Sequence, residues 1–549
     1  MTGAAPLRIA LAQLDFLVGD VRGNVARVID TARAAHAQHV DLVVFPELAL
    51  SGYPPEDLLF HRGLRRQIEA GLAEVCRGVG DVAVLVGLPE YSGSQIYNAS
   101  ALVARGAVQA MHRKGTLPNY QVFDEKRYFS AGAQPTVVAI RGVQIGVLVC
   151  EDIWEREAVL LAQSAGAELL VVSNASPFQL HKQRDREAVA RERVRDVGLP
   201  LAYVNLVGGQ DELVFDGQSF VMDAHGAITM RAPAYAEGLH VVDFLRGAGG
   251  KVAPCAAAVA PELSEAASVY GALVLGVRDY VGKHRFPGVV IGLSGGVDSA
   301  LTLAIAVDAL GAAHVHAVMM PSRYTSPMSF EDAKAQADLL GVKYSVLPIE
   351  PMFEATLATL REEFAGREPD ATEENIQSRC RMLLLMGISN KTGRMLLTTG
   401  NKSEVAVGYA TLYGDMAGGF APIKDVAKTR VFALARWRNA HDPYGTGANP
   451  IPERIITRPP SAELRPDQKD QDSLPAYEVL DAIVARYMEN DEPIESIIAA
   501  GFERADVERV TRLIKLNEYK RRQAPVGVRV TRRSFGKDWR YPITSKFRA

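Results

Sequence analysis

The chain has 549 residues, of which 48% are hydrophobic and 23% are charged, and its formal net charge is −3. This length predicts about two to four domains, and the near-neutral charge gives no support for bulk attraction to nucleic acid or to a membrane. The four cysteines lack C-x-x-C spacing, which argues against a zinc site or a disulfide framework. Because there is no secretory h-region and no apolar run of about eighteen residues, we expect a soluble, cytoplasmic protein.

The first 246 residues alternate short apolar strands with amphipathic helices. Strands are predicted near residues 7–12, 41–45, 82–86, 143–149, 167–173, 201–206 and 241, with helices near residues 24–37, 65–78 and 181–196. Such alternation is typical of a layered α/β domain. The last of these helices is rich in charge, so we expect most of it to be a solvated face, with Arg191 as the one candidate exception.

Three chemically reactive side chains follow strands or lie in strand-exit loops of this half. They are Glu47 in F-P-E-L, Lys114 in R-K-G and Cys150 in C-E-D-I-W. Taken singly, each has an ordinary structural explanation, as a cap, a surface lysine or a buried thiol. Together they form a set for covalent catalysis, in which Glu47 takes the thiol proton while Lys114 lowers the thiol pKa and stabilises an oxyanion.

Residues 247–260 have the glycine- and alanine-rich composition of a linker. We therefore predict domains at residues 1–246 and 264–549 joined by a linker at residues 247–263. After a helix near residues 264–284, strands near residues 289–293, 314–320, 344–348 and 395–399 alternate with helices. This pattern predicts a doubly wound parallel sheet that binds ligands at the carboxyl ends of its strands. A long loop at residues 441–475, rich in Pro, Gly and charge, is expected to be functional.

The stretch V-V-I-G-L-S-G-G-V-D-S, from Val289 to Ser299, combines a buried strand, a loop of small residues and the start of a helix. Backbone N–H groups at such a helix start are unpaired and favour a phosphate. A Walker A loop would need Lys-Ser or Lys-Thr after the last glycine, and a dinucleotide fingerprint would need G-x-G-x-x-G; neither is present. The alternative is an ordinary glycine-rich turn between a strand and a helix.

The signature S-G-G-V-D-S resembles that of the PP-loop ATP pyrophosphatases, which cleave ATP between its α and β phosphates. The resemblance implies an ATP site made of Gly292, Leu293, Ser294, Gly295, Gly296, Val297, Asp298 and Ser299. Within it, Ser294, Gly296 and Ser299 would hold the pyrophosphate, and Asp298 would help to place Mg²⁺.

Residues 7–245 resemble the nitrilase superfamily, which has an α-β-β-α sandwich fold and a Glu-Lys-Cys triad in matching motifs. The resemblance implies that Glu47 is the general base, Lys114 the cation that stabilises the oxyanion and Cys150 the nucleophile. Glu125 matches a second glutamate that many members place in the pocket. The amidase branch attacks a side-chain amide, releases ammonia and hydrolyses the resulting thioester.

A nitrilase-like half followed by a PP-loop half resembles the glutamine-dependent NAD⁺ synthetases. Further motifs support this, including N-I-Q-S-R-C-R at Asn375, T-T-G-N-K-S-E from Thr398 and R-P-P-S-A-E-L from Arg458. The resemblance implies L-glutamine, deamido-NAD⁺ and ATP as substrates, Mg²⁺ as cofactor and a homo-oligomer. It places Tyr120, Glu125, Ser176 and Lys182 at the glutamine, Thr399 at the ATP, Asn375, Glu404 and Lys520 at the dinucleotide, and Glu404 beside the metal.

Three other interpretations stay open from the sequence. The chain could be a PP-loop enzyme acting on RNA, although such enzymes lack a nitrilase half. It could also be an amidase with a nucleotide-sensing or other AMP-forming ligase domain. The basic final segment could be a nucleic-acid-binding arm, but Phe535, Trp539 and Tyr541 in it are typical of residues that pack. Lys424 replaces the glycine of the P-I-G-D found in ammonia-only relatives, and its loop is left unassigned.

Overall fold

The computed structural model describes residues 6–247, 249–466, 468, 470–472 and 474–547, and the chain divides into the units Met1–Glu262 and Leu263–Ala549. The stretch predicted as a linker, residues 247–263, is partly sheet. Its strand Val252–Pro254 pairs antiparallel with strand Gly238–Arg246. The glycines that suggested a linker instead form a turn, in which the Gly250 N–H donates to the Gly247 carbonyl over 2.9 Å.

The first unit contains five α-helices and fifteen β-strands among its described residues. The helices are α1 (Val21–His36), α2 (Arg62–Gly78), α3 (Glu125–Tyr128), α4 (Arg156–Ser164) and α5 (Lys182–Val197). The strands are β1 (Leu7–Gln13), β2 (Leu42–Val44), β3 (Ala83–Ser92), β4 (Gln95–Ala104), β5 (Ala107–Arg113), β6 (Thr136–Ile140), β7 (Val143–Val149), β8 (Leu169–Asn174), β9 (Leu201–Asn205), β10 (Val207–Gln210), β11 (Leu213–Asp216), β12 (Phe220–Met222), β13 (Ile228–Arg231), β14 (Gly238–Arg246) and β15 (Val252–Pro254).

Two large sheets of this unit pack face to face. Their strand orders are β15-β14-β1-β2-β3-β4-β5 and β13-β12-β9-β8-β7-β6. Side chains alternate between the two faces of each strand, so Ile9 and Leu11 enter the core between the sheets while Ala10 packs against α1 and α2. On the outer face of the second sheet, Val172 and Tyr203 pack against α4 and α5. The predicted α-β-β-α sandwich is confirmed.

The second unit holds a parallel sheet with helices on both sides. Its strands are β16 (Val289–Gly292), β17 (Val315–Met319), β18 (Lys343–Val346) and β19 (Met395–Leu397), in the order β18-β17-β16-β19. Its helices are α6 (Glu265–Lys283), α7 (Val297–Leu310), α8 (Pro327–Leu340), α9 (Glu350–Thr359), α10 (Ala371–Thr392), α11 (Lys402–Val407), α12 (Lys428–Ala440), α13 (Glu453–Thr457), α14 (Tyr477–Val484), α15 (Ile494–Ala499), α16 (Arg504–Leu516) and α17 (Glu518–Arg521). The predicted doubly wound sheet is confirmed.

The basic final segment packs into its own unit. Phe535 and Trp539 are 5% and 4% exposed and join a core cluster with residues of α14 and α16. Tyr541 stacks on Trp539 with ring centroids 4.2 Å apart. The prediction that these aromatic residues pack is therefore confirmed, and the segment is not an exposed low-complexity arm.

Helix α5 has the predicted solvated face, on which Arg184, Asp185, Glu192 and Arg195 are exposed, but part of its charge is buried. Arg186, Glu187 and Arg193 are all buried on it. The Arg186 guanidinium pairs with Asp216, and Glu187 pairs with Arg231. These three buried charges were not predicted because each has a partner on another element or on the helix itself, which the local charge pattern of α5 does not reveal. Arg191, the expected exception, is half-buried and donates to the Gly226 carbonyl.

Candidate active sites

In the first unit, three of the predicted site residues meet through one buried ammonium group. Lys114 follows β5, Glu47 follows β2 and Glu125 begins α3. The Lys114 Nζ atom donates to Glu47 Oε1 over 2.7 Å and to both carboxylate oxygens of Glu125 over 2.9 Å. Burial disfavours charge on Lys114, but the carboxylates of Glu125 and Glu47 outweigh it and raise the pKa of the ammonium. Burial also raises the pKa of Glu125, to about 7.

Glu47 is held by backbone and amide donors as well as by Lys114. Asn98 Nδ2 donates to Glu47 Oε1 over 2.7 Å, and the Ala175 N–H donates to Glu47 Oε2 over 3.0 Å. The side chain of Glu47 is entirely buried. These contacts fix the carboxylate in one orientation, as a general base requires. Asn98 was not predicted, because it lies on β4, a strand for which the sequence analysis made no prediction.

Cys150 lies at the point where strand β7 ends and a 3-10 turn, Cys150–Trp154, begins. Its φ of +45° is in the left-handed region, which non-glycine residues rarely adopt. Burial first, and then the negative charge of Glu47, raise the pKa of the thiol, while Lys114 opposes the shift. The raised pKa keeps Cys150 a neutral thiol, so a role as nucleophile would require a base to take its proton.

The loop of Lys114 and the strand of Cys150 are joined by Asp152, which the sequence analysis quoted only as part of C-E-D-I-W. Its Oδ1 atom accepts from the N–H groups of Gly115 and Thr116, both at 2.9 Å. Its Oδ2 atom accepts from the Val149 N–H over 3.0 Å and lies 3.2 Å from His112 Nε2. One buried carboxylate thus fixes the loop of Lys114 relative to the end of the strand that leads to Cys150.

The residues predicted to hold glutamine lie on three different segments. The Tyr120 hydroxyl donates to Glu151 over 2.8 Å, next to Cys150 in sequence. Ser176 follows β8 and is buried, and Lys182 is the first residue of α5. The Lys182 ammonium lies 4.1 Å from the centre of the Trp154 ring, and burial lowers its pKa.

In the second unit, the predicted phosphate cradle joins β16 to α7. Ser294 Oγ and Ser299 Oγ are 3.1 Å apart, and the Gly296 N–H donates to Ser294 Oγ over 3.2 Å. Gly295 has a φ of +80°, and a Cβ atom there would come within 2.3 Å of the Ser329 carbonyl oxygen. Only glycine fits this turn. The first N–H groups of α7 thus lie beside the two serine hydroxyls, an arrangement typical of phosphate-binding loops.

Asp298 and Glu404, the two predicted metal ligands, share one cation. Lys428 Nζ bonds to Asp298 Oδ2 and lies 3.4 Å from Glu404 Oε1, and Asn401 Nδ2 donates to Asp298 Oδ1 over 2.9 Å. Desolvation and then the charge of Asp298 raise the pKa of Glu404 to about 8. Lys428 was not predicted, although the neighbouring Lys424 was singled out; Lys424 Nζ donates to the Pro525 carbonyl over 2.7 Å.

A cavity of about 550 Å³ opens at the carboxyl ends of these strands, as expected for a doubly wound sheet. Of the predicted ATP residues, those on its wall are Gly292, Leu293, Ser294, Gly296, Val297, Asp298, Ser299 and Thr399. Glu404 and Lys428 also line it. Gly295, which was also predicted at the ATP, does not line the cavity; its positive φ allows the turn that forms the cradle. This volume is typical of small-molecule and nucleotide sites.

Part of the long loop predicted to be functional lies over the cradle. Arg458 Nη1 donates to Ser329 Oγ over 2.9 Å, and its Nη2 bonds to the Gly295 carbonyl. Glu463 accepts from the hydroxyls of Ser326 and Ser329 over 2.9 and 2.6 Å. Both residues line the cavity. The R-P-P-S-A-E-L motif was identified in the sequence, but the partners of its charged residues were not.

Asn375 and Lys520, predicted at the dinucleotide, are not on the described wall of this cavity. Asn375 Oδ1 accepts from Thr411 Oγ1 over 2.8 Å. Lys520 Nζ donates to the carbonyl oxygens of Gly408 and Ala410 over 3.0 and 2.9 Å. Both side chains therefore hold residues 408–411, a segment that lends Tyr409 and Ala410 to the wall.

Among the described residues, no group of three or more His, Cys, Asp or Glu side chains is placed to hold a metal ion. None of the helices in the described part of the chain combines the length and apolar character needed to cross a membrane.

Two known families match the chain, one in each of its two units. Residues 8–252 match the carbon-nitrogen hydrolase family, and residues 269–524 match the NAD synthase family. The fold and the two sites thus define a carbon-nitrogen hydrolase domain followed by an NAD synthase domain, the latter of an ATP-dependent class.

Full-length relatives narrow the assignment. The glutamine-dependent NAD(+) synthetase of Xanthomonas campestris pv. campestris is 49% identical over 99% of this chain and 98% of its own length. That of Xylella fastidiosa is also 49% identical, over 99% of both chains. A solved structure of the Acinetobacter baumannii glutamine-dependent NAD+ synthetase in complex with adenosine diphosphate has a TM-score of 0.80 at 44% identity and covers 98% of each chain. The chain belongs to the family of glutamine-dependent NAD(+) synthetases.

Proposed function

We propose that this chain converts deamido-NAD⁺ to NAD⁺ with ammonia taken from L-glutamine, while ATP is cleaved to AMP and diphosphate. The observation that carries the proposal is the pairing of a buried Glu47-Lys114 contact beside Cys150 with a phosphate cradle in the same chain. Each arrangement serves one half of an amide-forming reaction. The name of the relatives, glutamine-dependent NAD(+) synthetase, includes both halves, the use of glutamine and the synthesis of NAD⁺.

The first half-reaction takes place at Cys150. Glu47 accepts the thiol proton as sulfur attacks the side-chain amide carbon of glutamine, and the Lys114 ammonium stabilises the negative oxygen that forms. The carbon–nitrogen bond then breaks, Glu47 returns the proton to the leaving nitrogen, and ammonia departs from a thioester. Water then loses a proton to Glu47 and attacks the thioester carbon, the carbon–sulfur bond breaks to give glutamate, and Glu47 returns the proton to the Cys150 sulfur. Glu125 keeps Lys114 in place through its two hydrogen bonds.

Three further residues would hold the amino-acid head of glutamine. Lys182 offers an ammonium group to the α-carboxylate, and its position over the Trp154 ring leaves its N–H donors available to a ligand. Ser176 and Tyr120 would supply hydroxyl groups, and Tyr120 reaches the region of Cys150 through its hydrogen bond to Glu151. Residues of this kind fix the side-chain amide at the attacking sulfur by binding the opposite end of the substrate.

The second half-reaction activates the nicotinate carboxylate. One of its oxygens attacks the α-phosphorus of ATP, and the diphosphate leaves into the cradle of Ser294, Gly296 and Ser299. Ammonia then attacks the acyl carbon, AMP leaves, and the amide of NAD⁺ results. Lys428 adds positive charge on the cavity wall beside the cradle.

The residues present fit a Mg²⁺ ion. Mg²⁺ prefers oxygen ligands and is usually held by one or two carboxylates together with substrate phosphates. Asp298 and Glu404 would supply such a pair, and the contact of the Lys428 ammonium with both carboxyl groups supports their affinity for a positive charge. Bound Mg²⁺ would neutralise phosphate charge. Asn375 and Lys520 would act on the dinucleotide by holding residues 408–411 against the cavity.

A product assay tests the proposal. The purified chain is given ATP, deamido-NAD⁺ and either L-glutamine or ammonium chloride, and the products are measured by ³¹P NMR and chromatography. We expect AMP, diphosphate and NAD⁺ in equal amounts with either donor, and glutamate only with glutamine. Formation of ADP and orthophosphate would contradict the proposal. Hydrolysis of glutamine without any NAD⁺ would favour an amidase with a nucleotide-sensing domain.

A further inference from the structure

Arg186 has a fully buried guanidinium group. It belongs neither to the predicted catalytic triad nor to the residues predicted to bind glutamine. It lies one turn after Lys182 on α5 and is 1% exposed. A guanidinium has five N–H donors and no acceptor. In Arg186 these groups donate to five acceptor atoms, which are Ser176 Oγ at 3.0 Å, the Ser176 carbonyl at 2.8 Å, the Pro177 carbonyl at 2.9 Å, Asp216 Oδ1 at 2.8 Å and Gln183 Oε1 at 3.2 Å.

These bonds determine what the Ser176 hydroxyl can do. The Ser176 N–H donates to Asn205 Oδ1 over 2.9 Å, and its carbonyl accepts from both Arg186 and Asn205. The hydroxyl oxygen accepts from Arg186 Nε, which can only donate. This uses one of the two lone pairs of the hydroxyl oxygen and turns its single hydrogen away from Arg186, toward a ligand or toward the Tyr203 phenol, which interacts with the same hydroxyl. Arg186 thereby favours Ser176 as a donor toward a ligand.

We propose that Arg186 is a positioning residue for the amino-acid head of the glutaminase substrate: it orients the Ser176 hydroxyl as a hydrogen-bond donor to the α-carboxylate. The inference rests on the proposed function, since it concerns how that site selects an α-amino acid over a simple amide. A carboxylate is the acceptor that rewards such a donor most strongly. The Asp216 carboxylate balances the buried guanidinium, so the pair adds orientation without leaving an unpaired charge.

The position of Arg186 on α5 supports this assignment. Lys182 and Arg186 are four residues apart and therefore share one face of the helix. Lys182, the predicted carboxylate ligand, lies over the Trp154 ring, whereas Arg186 reaches Ser176. One helix face thus supplies a direct cation and, through Ser176, a neutral donor. A site for amides without a carboxylate would need neither.

A double-mutant cycle with glutaminase kinetics tests the inference. Ser176→Ala and the paired variant Arg186→Gln/Asp216→Asn, which leaves no buried unpaired charge, are each expected to raise KM for L-glutamine about tenfold to hundredfold with a smaller change in kcat. Because both remove the same interaction, the triple variant should be less than about threefold worse than Ser176→Ala. Arg186→Lys, which keeps a cation beside Asp216, is expected to have a KM for L-glutamine between those of the wild type and the paired variant. Fully additive effects, or an unchanged KM in the paired variant, would overturn the inference.

Two alkylating probes separate carboxylate recognition from general damage to the site. The glutamine analogue 6-diazo-5-oxo-L-norleucine carries an α-carboxylate, whereas iodoacetamide does not, and both label a reactive thiol such as Cys150. The paired variant should slow labelling by the analogue at least tenfold and leave iodoacetamide labelling within about twofold. Equal slowing of both would show a merely structural role. Arg193→Gln, a buried arginine on the same helix paired with Asp196, serves as the matched control and should change neither rate selectively.

The outcomes for the wild-type chain keep this inference separate from the proposed function. If the wild type neither hydrolyses glutamine nor reacts with the analogue, the glutaminase assignment itself fails. If the wild type does both and the Arg186 variants match it, only the role of Arg186 is wrong. Should the paired variant fail to fold, shown by its melting curve, Arg186→Lys and Ser176→Ala provide the same comparison.

Discussion

Lys114 donates a hydrogen bond to Glu47 over 2.7 Å, and neither side chain is exposed to solvent. The same ammonium contacts both oxygens of Glu125. A buried cation between two buried carboxylates keeps the net charge of the site small, and the charge of Glu47 acts on the Cys150 thiol. In the proposed reaction, this one contact network supplies both the proton transfer and the stabilisation of the oxyanion.

Replacing Cys150 by Ala should separate the two half-reactions. We expect glutamine-dependent NAD⁺ formation to be lost, while formation with added ammonium chloride stays within a few-fold of wild type because the cradle lies in the other unit. The measurement is NAD⁺ and AMP production with each nitrogen donor. Cys255→Ala, a half-buried cysteine outside both sites, is the control. Equal loss with both donors in a folded variant would contradict the division of labour.

Lys114→Met should cost both activity and stability. It leaves two carboxylates facing each other without a cation, and breaking a buried ion pair typically costs about 3–5 kcal/mol. Lys114→Met/Glu125→Gln removes one charge and should recover part of that free energy of unfolding without restoring glutaminase activity. Chemical denaturation and glutamate release check the two effects. A double variant that regains activity would show that Lys114 is structural only.

Most of the candidate site residues can be predicted from the sequence because they lie at the ends of strands. Glu47 and Cys150 follow apolar strands, and Ser294 to Ser299 begin a helix after one, so local patterns locate them. Lys428, Asp152 and Arg186 were not predicted. Each is distinguished by contacts with residues distant in the chain, and its local sequence pattern is unremarkable. Lys428 meets Asp298 across 130 residues, a relationship that no local spacing reveals.

The charged helix α5 shows the same limit for the fold. Its sequence has the composition of an exposed helix, yet Arg186 and Glu187 are buried because Asp216 and Arg231 reach them from β11 and β13. The glycines at residues 247 and 250 illustrate the reverse case, since a tight turn and a linker have similar composition. Both differences arise from tertiary pairing that overrides a local preference.

Glu125 should make the stability of the first unit depend on pH. Burial raises its pKa from an ordinary value near 4.5 to about 7, so the folded chain binds a proton that the unfolded chain releases between these values. The contribution of protonated Glu125 is fully present below about pH 4.5 and is lost as the pH rises through 7. Glu125→Gln mimics the protonated form and should lack this slope. Thermal melting of both chains from pH 5 to 8 tests it, and parallel curves would contradict the assignment.

Asp298→Asn and Glu404→Gln should act on ATP chemistry alone. Each replaces one carboxyl group of the proposed Mg²⁺ pair by an amide, so we expect AMP formation to fall about hundredfold or more with either nitrogen donor and the Mg²⁺ concentration for half-maximal rate to rise. Glutamate release in the absence of ATP should be unchanged. Glu350→Gln, at an ion pair with Arg323 away from the cradle, is the control. An unaltered Mg²⁺ dependence would remove the pair as metal ligands.

Gly295→Ala should disable the phosphate cradle by sterics. The added Cβ would lie 2.3 Å from the Ser329 carbonyl oxygen, and backbone cannot give way as the end of a side chain can. Gly341→Ala separates this clash from backbone strain, because Gly341 also has a positive φ, +65°, but open space around its Cβ. We expect ATP-dependent NAD⁺ formation to be lost in the first variant and kept in the second, with glutamine hydrolysis intact in both. If the two alanines behave alike, the close contact with Ser329 does not shape the cradle.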